Sequence, residues 1–349
     1  MRLSADRILQ RLRKADGSAQ ASFERRITVG QFLDTYGIIL ALVLMVIALT
    51  ILQPKYFLSV ENLTNVARQT SVNALLALGE FLVILTAGID LSVGSLMALS
   101  MVSLAIAVHS GVPSVLAIGL ALGLGLLGGL LNGWGLTKLR LPHAFIPTLA
   151  MLNIARGITF LISSGVPISG LPPEVRVFGS GDIPIIQRSD VPVVIPVSLV
   201  VVIVFYFAFW LFLTRTRTGR HIYAVGGNPQ AALYAGINVD RVLTLVYVLC
   251  GGLAAVGGIV LAGRTNSGYP NAGTGSELDA IAAVIIGGAS FFGGRGSVVG
   301  TFVGALIMGL LRNGLNLMDV SSFWQFVVIG VVIVIAAYTD VLRRRSLRV

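Results

Sequence analysis

The chain carries few groups able to do chemistry, and none of the familiar catalytic constellations is among them. Its three lysines, Lys14, Lys55 and Lys138, follow Arg13, Pro54 and Thr137. There is therefore no Gly-x-x-x-x-Gly-Lys-Ser/Thr loop to cradle the phosphates of a nucleotide. His109, His143 and His221 are too widely spaced for paired metal ligands, and the single cysteine, Cys250, lies inside an apolar run. That excludes a disulfide framework and a cysteine-based zinc site. No Gly-x-Ser-x-Gly nucleophile elbow occurs. The sequence predicts no catalytic residue, no metal and no cofactor, and ATP hydrolysis by a phosphate loop is not open to it.

What remains is a set of polar groups embedded in apolar runs. Asn73 and Glu80 stand seven residues apart, on one face of a helix. Asn153 and Arg156 share another face, as do Arg312 and Asn316. A charge at the bilayer centre costs about 2.5–3.5 kcal/mol on insertion scales, so such residues face a bundle interior or a wet cavity. Asn73, Glu80, Asn153, Asn313 and Asn316 are accordingly candidates to line a polar path. The alternative is structural, with Glu80 paired to an arginine or protonated and the asparagines bridging helices. Asp90 is expected just past the end of the helix that carries Glu80. No second acidic residue shares these faces, which argues against a proton relay.

The elements that hold these groups are read from composition: 55% of the 349 residues are hydrophobic and only 11% charged, against about a quarter charged in a soluble protein. The chain is a membrane protein. Apolar runs near 36–53, 66–86, 92–110, 113–136, 144–163, 192–213, 241–262, 278–291, 297–316 and 323–340 predict an all-α, polytopic transmembrane bundle of about ten helices. Residues 1–36 read as a cytoplasmic arm, 37–342 as the transmembrane domain, and 343–349 as a basic cytoplasmic tail. The first apolar run is followed by no small-residue cleavage site, so a cleaved leader is not expected. With both termini cytoplasmic, 18 of the 25 basic residues fall on the inner side. The net charge of +10 is thus a topology signal and not a mark of nucleic-acid binding.

An internal repeat bears on the architecture. Gly123-Leu-Gly-Leu-Leu-Gly128-Gly-Leu-Leu-Asn132-Gly133 resembles Gly304-Ala-Leu-Ile-Met-Gly309-Leu-Leu-Arg-Asn313-Gly314 at an offset of 181 residues. An odd number of spans per half makes the second half inverted, a 5+5 arrangement used by transporters. Gly119/Gly123, Gly125/Gly129/Gly133 and Gly296/Gly300/Gly304 place small residues every four positions, a pattern for close packing of helices within one chain.

The most informative polar stretch is 214–240. Thr214-Arg-Thr-Arg-Thr-Gly219-Arg220 precedes Gly226-Gly227-Asn228-Pro229-Gln-Ala231-Ala232-Leu-Tyr-Ala235-Gly236-Ile237. Asn228 before Pro229 predicts an N-cap and first helical residue, and Gly236 a C-terminal stop, giving a two-turn helix with a small-residue face.

This stretch, together with Gly88-Ile-Asp90-Leu-Ser92-Val-Gly94-Ser95, Gly273-Thr-Gly275-Ser-Glu277-Leu-Asp279 and Gly287-Gly-Ala-Ser-Phe-Phe-Gly293, resembles the ribose-type branch of ABC importer permeases. The resemblance covers roughly 40–345. It implies a subunit without enzymatic activity, placed in the bacterial inner membrane. The implied partners are cytoplasmic ATPase subunits, a periplasmic sugar-binding protein, a second permease as homo- or heterodimer, and membrane lipid. It also implies that Gly226, Gly227, Asn228, Ala231, Ala232, Gly236 and Ile237 form an ATPase-coupling loop, and that the Pro-rich 164–190 stretch meets the binding protein. The substrate implied is a pentose, hexose or related polyol. An ion-coupled secondary transporter of a small polar solute is the alternative, and a membrane enzyme a more distant one.

Overall fold

The computed structural model describes residues 29–186 and 193–346, with side chains described from 37 to 341 apart from the 187–192 gap. The predicted N-terminal arm and basic tail lie almost wholly outside these residues. Helices occupy every predicted apolar run: α1 (Val29–Leu52), α2 (Val60–Leu85), α3 (Val93–His109), α4 (Ser114–Thr137) and α5 (Phe145–Ser163) in the first half. After the short α6 (Pro173–Ser180) come α7 (Val197–Arg215), α8 (Arg217–Gly227), α9 (Pro229–Tyr234) and α10 (Val239–Thr265). The series closes with α11 (Ser276–Ile286), α12 (Val298–Leu317) and α13 (Ser322–Ser346). Six of these helices, α4, α5, α7, α10, α12 and α13, are long and apolar enough to cross a bilayer, by length and composition. The chain is a polytopic helical membrane protein.

The all-α expectation needs one correction. Four short strands, β1 (Ile168–Ser169), β2 (Asp182–Ile186), β3 (Val193–Pro196) and β4 (Ser267–Gly268), form two antiparallel pairs, β1 with β4 and β2 with β3. They are confined to one end of the bundle, where Arg68 Nη2 of α2 donates to both carboxylate oxygens of Asp182 at 2.6 and 2.5 Å. The opposite end carries α8 and α9.

The core is built around α10, which packs against α2, α3 and α4 and is buried over 72% of its most apolar window, against 17–28% for α4, α5, α7 and α13. Glycine makes this closeness possible. A Cβ on Gly125 or Gly129 would strike the backbone of Gly251 or Tyr247, and one on Gly300 or Gly304 would strike Gly287 or Ala283 of α11. Small residues thus let helix backbones touch where dispersion must supply the attraction. Two parts of the predicted pattern differ. Gly119 and Gly123 face open space, and Gly296 lies ahead of α12 with φ +150°, in a loop that includes Gly293 and Gly294 at +77° and +72°. The run predicted to span 278–291 is helical only to Ile286 for the same reason: after the cap Gly287, Gly288 takes left-handed backbone (φ +84°) that ends a helix.

Two segments turn back into the bundle. After α2 ends, residues 86–92 fold inward so that the Asp90 amide lies 3.5 Å from Glu80 Oε2, and α3 starts from inside the bundle. From the strand-bearing end, residues 269–275 run inward along α3: Gly268 abuts Ala105, while Gly273 abuts Gly94. Short helices α3 and α11 therefore begin in the interior, close to one another.

Candidate functional site

The α8–α9 segment projects from one end of the bundle. Thr216 caps α8, its hydroxyl accepting from the Gly219 amide at 3.0 Å, and Ile222 and Val225 turn the helix's apolar face inward. Asn228 Oδ1 then accepts from the Ala231 amide at 3.0 Å, Pro229 opens α9, and Gly236 ends it with φ +82°. These are the N-cap, proline and C-terminal glycine that the sequence predicts. Sequence reasoning missed α8, although Thr216 and the apolar pair Ile222/Val225 are its signal.

The faces are less legible than the caps. Gly226 and Ala232 (4% exposed) point into the protein, whereas Gly227, Asn228, Ala231 and Gly236 are exposed and Ile237 is half-buried. The apolar surface that α9 offers to solvent is Leu233 at 59% and Tyr234 at 88% exposure. Neither was among the residues expected there. Gly226 touches Leu85 O and the Gly294 amide, which donates to Leu85 O at 2.8 Å, and Tyr223 Oη donates to Gly296 O at 3.1 Å. The segment thus bears directly on the end of α2 and on the loop between α11 and α12.

Above that contact lies a closed polar cluster. Asp90, fully buried, accepts from the Ser92 amide (2.8 Å), Ser92 Oγ (2.6 Å) and Asn132 Nδ2 (3.3 Å), and Asn132 also donates to Ser92 Oγ (2.8 Å). Glu80, fully buried as well, receives only the long contact from the Asp90 amide, and its Oε1 has no partner. Asp90 lies just past the end of α2, as the sequence predicts, and the 86–92 segment folds it back into the bundle. Of the alternatives for Glu80, the arginine partner is not met among the described residues, whose ion pairs are Arg68–Asp182 and Arg312–Asp279.

A second polar group reaches the surface. Arg156 of α5 donates to the carbonyls of Pro270 (2.6 Å) and Ala272 (2.7 Å), clamping the inward-running segment. Along it Asn271 and Thr274 are exposed and Glu277 is half-buried, with the exposed Asn153 one turn from Arg156. Arg312 pairs with Asp279 in the first turn of α11 at 2.5 Å. This is a strip of polar groups on a surface otherwise built from residues such as Ile154, Ile158, Leu278 and Phe326.

The expected path residues are not brought together. Glu80 is sealed in the cluster, Asn73 is half-buried with an unpartnered Oδ1, and Asn153 Nδ2 donates to its own helix at Leu149 O. Asn313 exchanges hydrogen bonds with Asn62 (2.8 and 3.1 Å), bracing α12 against α2, and Asn316 accepts from Gln325 Nε2 at 2.7 Å.

Residues 62–337 match the family described as branched-chain amino acid transport system / permease component. The chain belongs to that family. This permease is 44% identical over 320 residues to the ribose import permease protein RbsC of Escherichia coli (strain K12), spanning 91% of this chain and 97% of the relative. It is 44% identical over 325 residues to RbsC of Bacillus subtilis (strain 168), spanning 93% and 97%. The D-allose transport system permease protein AlsC of Escherichia coli (strain K12) is 39% identical over 327 residues, spanning 92% and 96%. The resemblance to ribose-type ABC permeases is borne out, and a transport subunit in place of an enzyme agrees with it. No solved structure matches the chain.

Proposed function

We propose that this permease is the membrane subunit of an ATP-driven importer of a monosaccharide, working as a dimer in the bacterial inner membrane. The observation that carries this reading is end-to-end similarity to permeases named for ribose and allose. In this reading all ten long or apolar helices belong to the transmembrane unit as two inverted sets of five. The helix positions support it: α10 begins 179 residues after α2, α11 183 after α3 and α12 184 after α4, close to the 181-residue sequence offset. Both termini are cytoplasmic, on the side of α8 and α9, which collects most of the basic residues.

In the proposed mechanism α9 docks on an ATPase subunit through Tyr234 and Leu233. Movement passes through Gly226 to the end of α2, whose following segment folds back toward the centre, and to the loop that follows α11. The polar strip of Asn153, Asn271, Thr274 and Glu277 lines the path between two permeases, offering hydrogen bonds to a hydroxylated, uncharged solute. Asn73, Glu80 and Asn313 serve as structural groups. The strand-bearing end, including 164–186, meets a periplasmic sugar-binding protein.

Uptake of labelled ribose, allose and xylose in a deletion strain tests the substrate class; restored accumulation of at least one is expected, and restoration of none despite normal insertion would overturn it. Tyr234→Asp is expected to abolish uptake and ATPase co-purification while insertion persists. Gly227→Asp, at an exposed position with open space around its Cβ, is expected to do the same. Ala232→Glu is not a clean probe, because it buries an unpaired charge within the permease itself, at a cost of several kcal/mol.

A further inference from the structure

We propose that a cleft between α4 and α10, at the α8–α9 end, binds the headgroup of an anionic phospholipid. The cleft has a volume of about 530 Å³ and is lined by Trp134 and Thr137 of α4, its cap residue Lys138, Asn238 before α10, and Asp240, Arg241, Thr244, Leu245 and Val248 of α10. Its chemistry follows from helical spacing. On α4, Leu127, Leu131, Trp134 and Lys138 fall at intervals of four, three and four residues, and so lie along one face. On α10, Arg241, Leu245 and Val248 repeat the same order, base first and then apolar residues deeper in the helix. Two adjacent stripes therefore each place a cation at the membrane boundary and hydrocarbon behind it.

That sequence of groups matches a phospholipid from phosphate to acyl chain. Lys138 and Arg241 are exposed and form no ion pair among the described residues, whose salt bridges involve other side chains. Trp134, 52% exposed, stands where aromatic side chains mark the membrane interface. Leu127 and Leu131, also exposed, carry the apolar surface on toward the bilayer centre. Thr137 and Thr244 close the floor through a hydroxyl–hydroxyl contact of 3.1 Å. The one acidic group, Asp240, lies in the first turn of α10, where the helix dipole favours it, and the two bases outnumber it. Basic pockets between helices at the cytoplasmic side are a recognised setting for anionic headgroups. A soluble partner would have no use for the apolar stripes. The site also borders α9: Asn238, whose Oδ1 caps α10 by accepting from the Arg241 amide at 3.0 Å, stands two residues beyond Gly236.

The test is native mass spectrometry of the full chain, solubilised with the subunits it retains and exchanged into micelles containing phosphatidylglycerol. The wild type is expected to keep bound phosphatidylglycerol in preference to phosphatidylcholine. Each base contributes about a fivefold preference, so Lys138→Gln with Arg241→Gln is expected to lower retention about twentyfold. Lys138→Arg with Arg241→Lys should retain it within about twofold, showing that charge and not folding is read out. Lys55→Gln, at the opposite end, should change nothing; an equal loss there would overturn the site. Wild-type retention by the double glutamine variant would also overturn it. So would loss of a protein subunit with lipid unchanged, which would assign the two bases to a protein interface. Displacement of the lipid by soluble glycerol phosphate would overturn it as well, because binding would then need no membrane anchor.

Discussion

The two inward-folding segments place similar chemistry in opposite surroundings. Between α2 and α3, Glu80 and Asp90 are fully enclosed, and the groups that meet them are neutral: Ser92, Asn132 and a backbone amide. Between α10 and α11, Glu277 is half-exposed, Asp279 is paired with Arg312, and Arg156 clamps the backbone just before them. The first segment satisfies Asp90 by dipoles in a closed space and leaves Glu80 with one long contact. The second uses full charges beside a surface that hydrogen-bonding groups leave polar. Enclosure rewards a small set of neutral donors, since a cation there would add its own desolvation cost. A surface strip tolerates charge and keeps groups available to a passing solute. The difference fits the proposal of structural duty for the first segment and transport duty for the second.

Breaking the ion pair should produce the largest effect. Arg312→Leu leaves the Asp279 carboxylate unpaired, and the purified permease is expected to lose about 3 kcal/mol of stability, read as a lowered melting midpoint and reduced membrane yield. Adding Asp279→Asn should recover most of the loss, because the orphaned charge is removed; no recovery would mean the pair is not what holds α11 to α12.

Arg156→Gln removes at least one of two charge-assisted bonds to the 270–272 carbonyls, worth about 2 kcal/mol. Here the comparison predicts a split: inserted protein near wild-type amounts but slowed uptake, since the affected segment lines the proposed path. Normal uptake at normal yield would take the strip out of the mechanism.

The enclosed segment should respond in the opposite way. Asn132→Leu strips a donor from Asp90 and is expected to cost about 1.5 kcal/mol, lowering the melting midpoint while the uptake per inserted molecule stays unchanged. Glu80→Gln should have the smallest effect, below about 1 kcal/mol, because the amide keeps the shape and can still accept from the Asp90 amide. Glu80→Leu should lower yield, now for loss of that acceptor and not for an abandoned arginine. If Glu80→Gln expresses normally and stops uptake, the enclosed carboxylate is mechanistic and the ion-coupled reading gains over the ATP-driven one.

How much of this was legible in the sequence depends on the range of the interaction. The long apolar runs emerged as helices near their expected places, because roughly 30 Å of hydrocarbon demands a run of about that length whatever surrounds it, while the shorter 278–291 run is cut at Ile286. The caps of α9 were legible for a similar reason: Asn228, Pro229 and Gly236 act on backbone groups a few residues away. The 181-residue echo between Asn132-Gly133 and Asn313-Gly314 was visible as a pattern of residues, before any contact was known.

Other features were decided only when distant parts of the chain met. Asp90 reads as a turn residue until residues 86–92 fold back onto Glu80 and bring Asn132 from α4 across to them. Arg312 and Asp279 are far apart in the chain, and only the glycine-mediated approach of α11 to α12 brings them to 2.5 Å. Which side of α9 faces outward was likewise tertiary: α9 packs on α8 and α10 with Ala232 turned in and Tyr234 out. Hydrophobic length and capping are local and are written into neighbouring residues. The partner of a buried polar group is set by packing across the bundle, so the sequence named the groups able to make the site while the fold chose which of them share it.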